Sequence, residues 1–241
     1  MPGLWAAGAA CGLVGEGVLI QPVAPSAPPI ERIDRISAVI PAYNEERSIG
    51  DVVRTLRQHP SIDEVIVVSD GSTDGTAEQA RQAGAYVVEL PENRGKGAAL
   101  RTGAAISQGN VLLFLDADLI GLTRQHIDQL LEAVMSRESD MTVGVFDRGR
   151  GSTDLAQALA PTLSGQRVVR KEVLDQVVGL EAAGYGAEVA LTRHMKRHRY
   201  RITEVTLPEM THHTKEEKRG LMKGFAARMR MYWEIVKYLA D

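Results

Sequence analysis

The chain has 241 residues, of which 44% are apolar and 24% charged, as expected for a soluble globular protein with one large domain or two small ones. Its net charge of −3 excludes the broad basic field of a general nucleic-acid-binding protein. The single cysteine, Cys11, excludes an intrachain disulfide framework and a multi-cysteine metal site, and a reducing cytoplasm is the simplest compartment.

Residues 1–32 are predicted to be a flexible extension that ends in a proline-rich linker. Residues 1–20 lack the basic start of a signal peptide, and five glycines together with Glu16 disfavour a membrane-spanning helix. A membrane-touching segment or a helix docked on the domain remain alternatives for this stretch. Four prolines in residues 21–29 indicate a stiff linker, so the folded domain is expected over residues 33–214.

From residue 36 onward, short β-rich runs alternate with longer helical ones. The predicted strands are ISAVIPAY, EVIVVSD, YVVEL, VLLFLDAD and MTVGVF, and the helices between them include EERSIGDVVRTLRQH and LTRQHIDQLLEAVMSR. Continuous apolar strands in a βαβα order indicate an α/β protein with a mostly parallel central sheet and helices on both faces.

The second half is less regular. It is predicted to contain a glycine-rich loop at DRGRGSTD, a helix developing within LSGQRVVRKEVLDQV, a helix in GYGAEVALTRHMKRHRY and a strand at RITEVTLPEM. Residues 215–241 are predicted to form a basic amphipathic helix, which either packs on the domain or lies on a membrane surface.

Two acids, Asp116 and Asp118, follow the apolar strand of VLLFLDADLI. Two residues apart on an extended segment, both side chains can point the same way. Their oxygens suit a hard divalent cation such as Mg²⁺ or Mn²⁺, which takes its other ligands from substrate phosphates. A turn or a helix cap is the competing interpretation of so short a motif.

Two other strand ends carry polar groups that would meet this pair at the carboxyl edge of a parallel sheet. Asp70, in SDGSTDGT, either accepts the imino N–H of a nucleobase or caps a turn. Arg94 and Lys96, in ENRGKGAA, precede a helix whose N-terminus suits phosphate, unless they are ordinary solvated charges. Together these groups indicate a binding site for a nucleotide diphosphate.

The ordered motifs VIPAYNEERSIGDVV, VVSDGSTDGT, NRGKGAALRTG, LFLDADL, SGQRVVRKEVL and GYGAEVAL resemble glycosyltransferase family 2, over residues 35 to 210. The similarity is to the catalytic domain of dolichol- or polyprenyl-phosphate mannosyltransferase-like enzymes. It implies a glycosyltransferase A fold, which is Rossmann-like, and a Mg²⁺ or Mn²⁺ cofactor. It also implies a nucleotide pocket and metal ligands at the following positions: Pro41, Ala42, Tyr43, Glu45, Asp70 and Lys96 around the nucleotide, Asp116 near ribose and metal, and Asp118 as direct metal ligand.

Three further residues are predicted from the same resemblance. Glu188 is the candidate base, or instead a helix residue that orients a neighbouring loop. Arg167, in an acceptor-side loop SGQR, is predicted to face a phosphate, or instead to start a helix and pair with Glu172 or Asp175. His212 is predicted to complete the metal shell, although a surface histidine is often merely polar.

The resemblance implies transfer of a hexose from a nucleotide-diphospho-sugar, with inversion, to a lipid-phosphate or small acceptor. A UDP-sugar is the favoured donor and GDP-mannose the other candidate. Polyprenyl phosphate at the membrane surface is one candidate acceptor, which would place the enzyme in the cytoplasm, peripheral to the inner membrane face. The alternatives are a nucleotide-sugar-binding protein without transferase activity and a sugar-1-phosphate nucleotidyltransferase.

Overall fold

The computed structural model describes residues 34–146, 161–180 and 186–212, with the exception of the His212 side chain. The predicted N-terminal extension, the DRGRGSTD loop and the C-terminal amphipathic helix lie outside these ranges. Within them, no helix is both long enough and apolar enough to cross a membrane.

Strands and helices alternate along most of the described chain. In chain order they are β1 (Ile36–Ala42), α1 (Ile49–Arg57), β2 (Glu64–Asp70), α2 (Thr76–Gln82), β3 (Tyr86–Leu90), α3 (Lys96–Ile106), β4 (Val111–Phe114), β5 (Leu119–Ile120), α4 (Arg124–Met135), β6 (Met141–Phe146), β7 (Arg167–Arg170), α5 (Lys171–Leu174), α6 (Ala187–Arg197), β8 (Ile202–Leu207) and β9 (Thr211–His212).

Within the described residues, seven strands form the central sheet in the order β3-β2-β1-β4-β7-β6-β8. Strands β1 to β4 run parallel, and β6 and β8 are parallel to each other. Strand β7 is antiparallel to both of its neighbours, β4 and β6. The mostly parallel sheet predicted from the sequence is therefore confirmed. Strands β5 and β9 form a separate antiparallel pair beyond the end of β4.

The sheet is covered on both faces because consecutive strand residues point to opposite sides. Along β4, Val111 and Leu113 belong to one hydrophobic cluster, and Leu112 and Phe114 belong to the other. The first cluster is completed by α1, α2 and α4, and the second by α3, α5 and α6. Both faces of β1, β2 and β4 are buried, which explains why these strands read as unbroken apolar runs.

Two local predictions are wrong. The helix expected to develop from SGQRVVRKEVLDQV is preceded by strand β7, because Val168 and Val169 are fully buried between β4 and β6. The extended run predicted through the acidic pair also ends early. Strand β4 stops at Phe114, and Asp118 lies in a turn before β5, so the two acids are not consecutive outward residues of one strand.

Candidate active site

The loops that follow β1 and β2 are joined into one wall at the carboxyl edge of the sheet. The Thr73 N–H donates to Oδ1 of Asn44 at 2.8 Å, and the Glu45 N–H donates to the Thr76 hydroxyl at 2.7 Å. Asn44 has a φ of 56°, a left-handed conformation that asparagine tolerates better than most residues. The predicted nucleoside-pocket residues begin this wall: Pro41 and Tyr43 are half-buried, whereas the Ala42 side chain belongs to the core.

Asp70, at the end of β2, holds the loop that starts α3. Its two carboxylate oxygens accept hydrogen bonds from the backbone N–H groups of Arg94 and Gly95, each at 2.8 Å. The side chain is buried, with only 4% of the residue exposed. The predicted contact with a nucleobase stays a prediction. What the structure shows is a carboxylate that fixes the backbone immediately before Lys96.

Gly71 permits the close approach of this loop to the end of β2. Its φ is 68°, and a side-chain Cβ at this position would lie 2.5 Å from the Asn93 nitrogen. Both the backbone conformation and the contact exclude a larger residue here. Asp70 and Gly71 therefore both hold this loop close to the end of β2. Asp70 accepts hydrogen bonds from the amides of the loop, and Gly71 leaves room for its backbone.

Lys96 lies between two of the predicted acidic site residues. Its Nζ is 2.5 Å from Oδ1 of Asp116 and also forms an ion pair with the carboxylate of Glu188. Glu188 lies in the first turn of α6, where the helix dipole favours a negative charge. Burial acts to lower the pKa of Lys96, but the two carboxylates outweigh it and hold the pKa above its ordinary value.

The acidic pair lies at the rim of the core. Both Asp116 and Asp118 are half-buried, immediately beyond β4, whereas Leu115 and Ala117 beside them are buried. The β5–β9 ladder pairs Leu119 with His212. The backbone of the predicted histidine ligand thus runs directly beside the residue that follows Asp118.

The side chains predicted to bind metal at this rim are suited to a hard divalent cation. Carboxylate oxygens are its preferred ligands, and neutral imidazole also binds Mn²⁺. Within the part of the chain that the structure describes, no three metal-binding side chains already form a cluster. The carboxylate of Asp116 is engaged instead by Lys96 and by the Gln166 side chain.

Gln166 is a site residue that the sequence reasoning missed. It is 1% exposed, and its Nε2 donates to Oδ2 of Asp116 at 2.8 Å. The preceding residue, Gly165, lies so near the same carboxylate that an added Cβ would be 2.4 Å from Oδ1. The motif SGQR was recognised, but nothing local to it indicates a contact with an aspartate 50 positions earlier.

Arg167 does not pair with Glu172 or Asp175, and it begins a strand instead of a helix. The residue is 1% exposed, and all five of its N–H groups have partners. These partners are the backbone oxygens of Pro161, Thr162 and Ser164, the Thr192 hydroxyl and the Met141 sulfur.

The predicted phosphate contact of Arg167 would need one of these bonds to be given up. Burial lowers the pKa of Arg167 to about 10, against the opposing attraction of Glu188 and Asp116. At neutral pH the side chain is therefore a buried cation behind the site.

Comparison with known proteins identifies the family of this chain. The sequence profile of Glycosyl transferase family 2 matches residues 37–231. The chain is 34% identical over 194 residues to glucosyl-3-phosphoglycerate synthase of Mycobacterium tuberculosis, covering 65% of this chain and 59% of that protein. It is 30% identical over 135 residues to dodecaprenyl-phosphate galacturonate synthase of Rhizobium johnstonii, covering 52% and 39%. The chain thus spans well under two thirds of the length of these curated relatives.

Solved structures agree with the sequence comparison. The crystal structure of glucosyl-3-phosphoglycerate synthase from M. tuberculosis with Mn²⁺, UDP and glucosyl-3-phosphoglycerate matches with a TM-score of 0.68 at 26% identity, over 86% of this chain and 78% of that one. The same enzyme with Mg²⁺ and UDP matches with a TM-score of 0.62 at 26% identity, over 82% and 79%. The fold, the order of the motifs and the extent of the profile match lead to one conclusion: the chain belongs to glycosyl transferase family 2.

Proposed function

We propose that the protein is a metal-dependent glycosyltransferase that moves a hexose from a UDP-sugar to an acceptor that carries a phosphate group. The observation that carries this proposal is the convergence of Asp116, Lys96 and Glu188 at the carboxyl edge of the sheet, with Asp118 two residues further along the chain from Asp116. Such an edge is the usual ligand site of open α/β sheets. The similarity to an enzyme crystallised with UDP and Mn²⁺ supports the same assignment.

The nucleoside would occupy the wall built by the β1 and β2 loops. Pro41, Tyr43 and Glu45 lie on this wall, and the hydrogen bonds between the two loops fix it before any ligand binds. Prior fixation lowers the entropy cost of binding. Asp70 contributes in this proposal by holding the Arg94–Gly95 backbone, which delivers Lys96 to the diphosphate.

The metal would be held by Asp118, with Asp116 and His212 as the other protein ligands. When bound, it would neutralise the negative charge of the departing diphosphate as a Lewis acid. Lys96 is a cation that the chain itself supplies beside Asp116, so it would add electrostatic stabilisation to the leaving group. A lysine suits this role because its ammonium group is a compact point charge on a flexible stem.

Glu188 is proposed as the acceptor-side carboxylate. It is nearly buried, lies at the start of α6 and is within ion-pair distance of Lys96. In this position its carboxylate would accept the proton of an acceptor hydroxyl, whereas an acceptor that reacts through an ionised phosphate oxygen would need no base. Inversion at the anomeric carbon, implied by the family resemblance, is the expected outcome. Nuclear magnetic resonance of the first-formed product would read the configuration directly, and retention would remove Glu188 as the base of a single displacement.

The acceptor class is inferred from what two relatives share. One is named for phosphoglycerate and the other for dodecaprenyl phosphate, and both of these acceptors carry phosphate. Transfer assays with phosphoglycerate and with a polyprenyl phosphate in detergent would separate a soluble acceptor from a lipid one. A lipid acceptor would agree with the proposal that residues 215–241 bring the enzyme, as a cytoplasmic protein, to the membrane surface.

Calorimetry tests donor and metal together. We expect UDP to bind tightly only when Mn²⁺ or Mg²⁺ is present, and GDP to bind more weakly. Absence of any metal-dependent binding of either nucleotide would refute the proposal.

Donor hydrolysis distinguishes an enzyme from a nucleotide-sugar-binding protein. The Asp118→Ala variant should lose at least about 100-fold in hydrolysis rate, because a direct metal ligand is removed. Asp51→Ala is the matched control, since Asp51 is an exposed acid on α1 that pairs with Arg54. Equal rates for wild type and Asp118→Ala would exclude Asp118 from the mechanism. Incubation with UTP and a hexose 1-phosphate should give no nucleotide sugar, which separates the proposal from a nucleotidyltransferase.

A further inference from the structure

The residues behind Asp116 form a connected hydrogen-bonded unit. Gln166 donates from Nε2 to Oδ2 of Asp116, and its Oε1 lies 2.8 Å from the Ser164 hydroxyl. The orientation of the amide follows from chemistry, because an ionised carboxylate only accepts hydrogen bonds and must face the NH₂ group. The Ser164 hydroxyl has a single proton, for which the Gly144 carbonyl oxygen on β6 competes with Gln166 Oε1, so the unit lies directly against the sheet.

The segment that carries Gln166 is fixed from the opposite side by Arg167. The guanidinium group gathers the carbonyl oxygens of Pro161, Thr162 and Ser164, the last through Nε at 2.7 Å. Its Nη1 also donates to the Thr192 hydroxyl, which in turn donates to the carbonyl oxygen of Glu188. One buried cation therefore connects the segment beside Asp116 with the helix turn that presents Glu188.

We propose that Gln166 is a positioning residue for Asp116: it fixes the plane of that carboxylate toward the metal and ribose, while Arg167 anchors the segment from behind. The proposal rests on the proposed function, since it requires that Asp116 serves a metal–nucleotide site. In this proposal Arg167 does not contact a phosphate group. The SGQR motif instead acts on the metal–nucleotide site indirectly, through Asp116. A neutral donor is suited to this task because it orients Asp116 without adding a second positive charge to that of Lys96.

The decisive variant is Gln166→Leu, which keeps the approximate volume and removes the donor. Partners that orient metal ligands typically contribute roughly 10- to 100-fold to metal affinity. We therefore expect Mn²⁺ affinity, measured by the free-Mn²⁺ electron paramagnetic resonance signal in the presence of UDP, to fall by about 10-fold or more. The matched control is Gln82→Leu, which removes a 2.8 Å bond from glutamine Nε2 to the Glu78 carboxylate on the exposed face of α2.

A purely structural role would lower the melting temperature of Gln166→Leu and leave its Mn²⁺ affinity equal to that of Gln82→Leu. That result overturns the inference. Ser164→Ala, which removes only the hydroxyl beside Gln166 Oε1, provides a milder variant if Gln166→Leu does not fold, and it should weaken Mn²⁺ binding by about threefold. Unchanged affinity in a folded Ser164→Ala protein would also count against the inference. Failure of the wild type to bind Mn²⁺ with UDP would instead overturn the proposed function together with this inference.

Discussion

The side-chain nitrogen of Lys96 lies 2.5 Å from Oδ1 of Asp116, and the same ammonium group is ion-paired with Glu188. One cation thus bridges the first acid of the DAD motif and the proposed acceptor-side carboxylate. The two acids come from different structural elements, so Lys96 links these elements as well as balancing the charge of the acids. A metal ion and a diphosphate entering this rim would meet a cation that already contacts both acids.

Replacement of Lys96 by methionine should leave Asp116 and Glu188 without the cation that lies between them. We expect the free energy of unfolding to fall by about 2–4 kcal/mol, slightly below the cost of breaking a fully buried pair because a fifth of the Lys96 side chain is exposed. Donor hydrolysis should fall by at least about 100-fold. Denaturant unfolding and hydrolysis rates measure the two effects. Lys171→Met is the control, since Lys171 is a half-buried lysine that bonds the Ser107 carbonyl oxygen.

The pH dependence of this pair follows from the direction of the shift. The pKa of Lys96 is raised above its ordinary value of 10.5, so its contribution to stability is complete below that value and is lost only as pH rises through the higher folded-state pKa. The stability difference between wild type and Lys96→Met should therefore stay constant from about pH 6 to about pH 9. A difference that vanishes within this range would contradict the assignment of a charged Lys96.

Gly165→Ala should disrupt the site by a steric clash, without removing any charge or hydrogen-bonding side chain. The new Cβ would lie 2.4 Å from Oδ1 of Asp116, a carboxylate that Lys96 and Gln166 hold in place. We expect about 1–3 kcal/mol of destabilisation and a loss of Mn²⁺-dependent UDP binding. Gly50→Ala is the control, because the added methyl group on α1 would meet only the flexible end of Arg54. Normal UDP binding by a folded Gly165→Ala protein would show that Asp116 is free to move.

The Asp70→Asn variant distinguishes two roles of Asp70: fixing the loop before Lys96, and contacting the nucleobase. Asparagine keeps one acceptor oxygen and turns an NH₂ group toward the second loop amide, so one of the bonds to Arg94 and Gly95 is lost. We expect a loss of about 1–3 kcal/mol in stability and an equal weakening of UDP and GDP binding. Calorimetry with both nucleotides measures this. A selective loss for UDP alone would instead support direct contact with the base.

The ion pair between Asp34 and Arg170, at the opposite end of the sheet, should make the stability of the protein depend on pH in acid. Hydrogen bonds from Arg170 hold the pKa of Asp34 below its ordinary value of 3.8. Its contribution is therefore present above that value and lost as pH falls through the lower folded-state pKa. Asp34→Asn should be less stable than wild type by about 2 kcal/mol at neutral pH, with the difference shrinking as pH falls below about 4.

The control for this prediction is Asp51→Asn, which removes an exposed ion pair with Arg54 and should change stability little at any pH. Unfolding by urea at several pH values gives the comparison. A difference between wild type and Asp34→Asn that persists undiminished at the lowest pH would show that the interaction does not depend on the charge of Asp34.

Most strands and helices up to residue 146 were predictable because both faces of β1, β2 and β4 are buried and the intervening helices keep an apolar stripe, whereas β5 was not predicted. Strand β7 was missed because RVVR runs directly into the helical residues of KEVL. Only its burial between β4 and β6 distinguishes it as a strand. Burial by a partner strand is a property of the assembled sheet, and no local pattern contains it.

The sequence alone indicated that Asp70, Lys96, Asp116 and Asp118 gather at the carboxyl edge, since the ends of parallel strands must meet there whatever their side chains do. Tertiary structure decided how those groups are paired. Asp116 accepts from Lys96 and Gln166, which are 20 and 50 positions away, and Asp70 accepts from amides 24 and 25 positions away. A carboxylate bonds whichever donor the packing brings within about 3 Å, so residue type predicts the capacity for a contact and only the fold selects the partner.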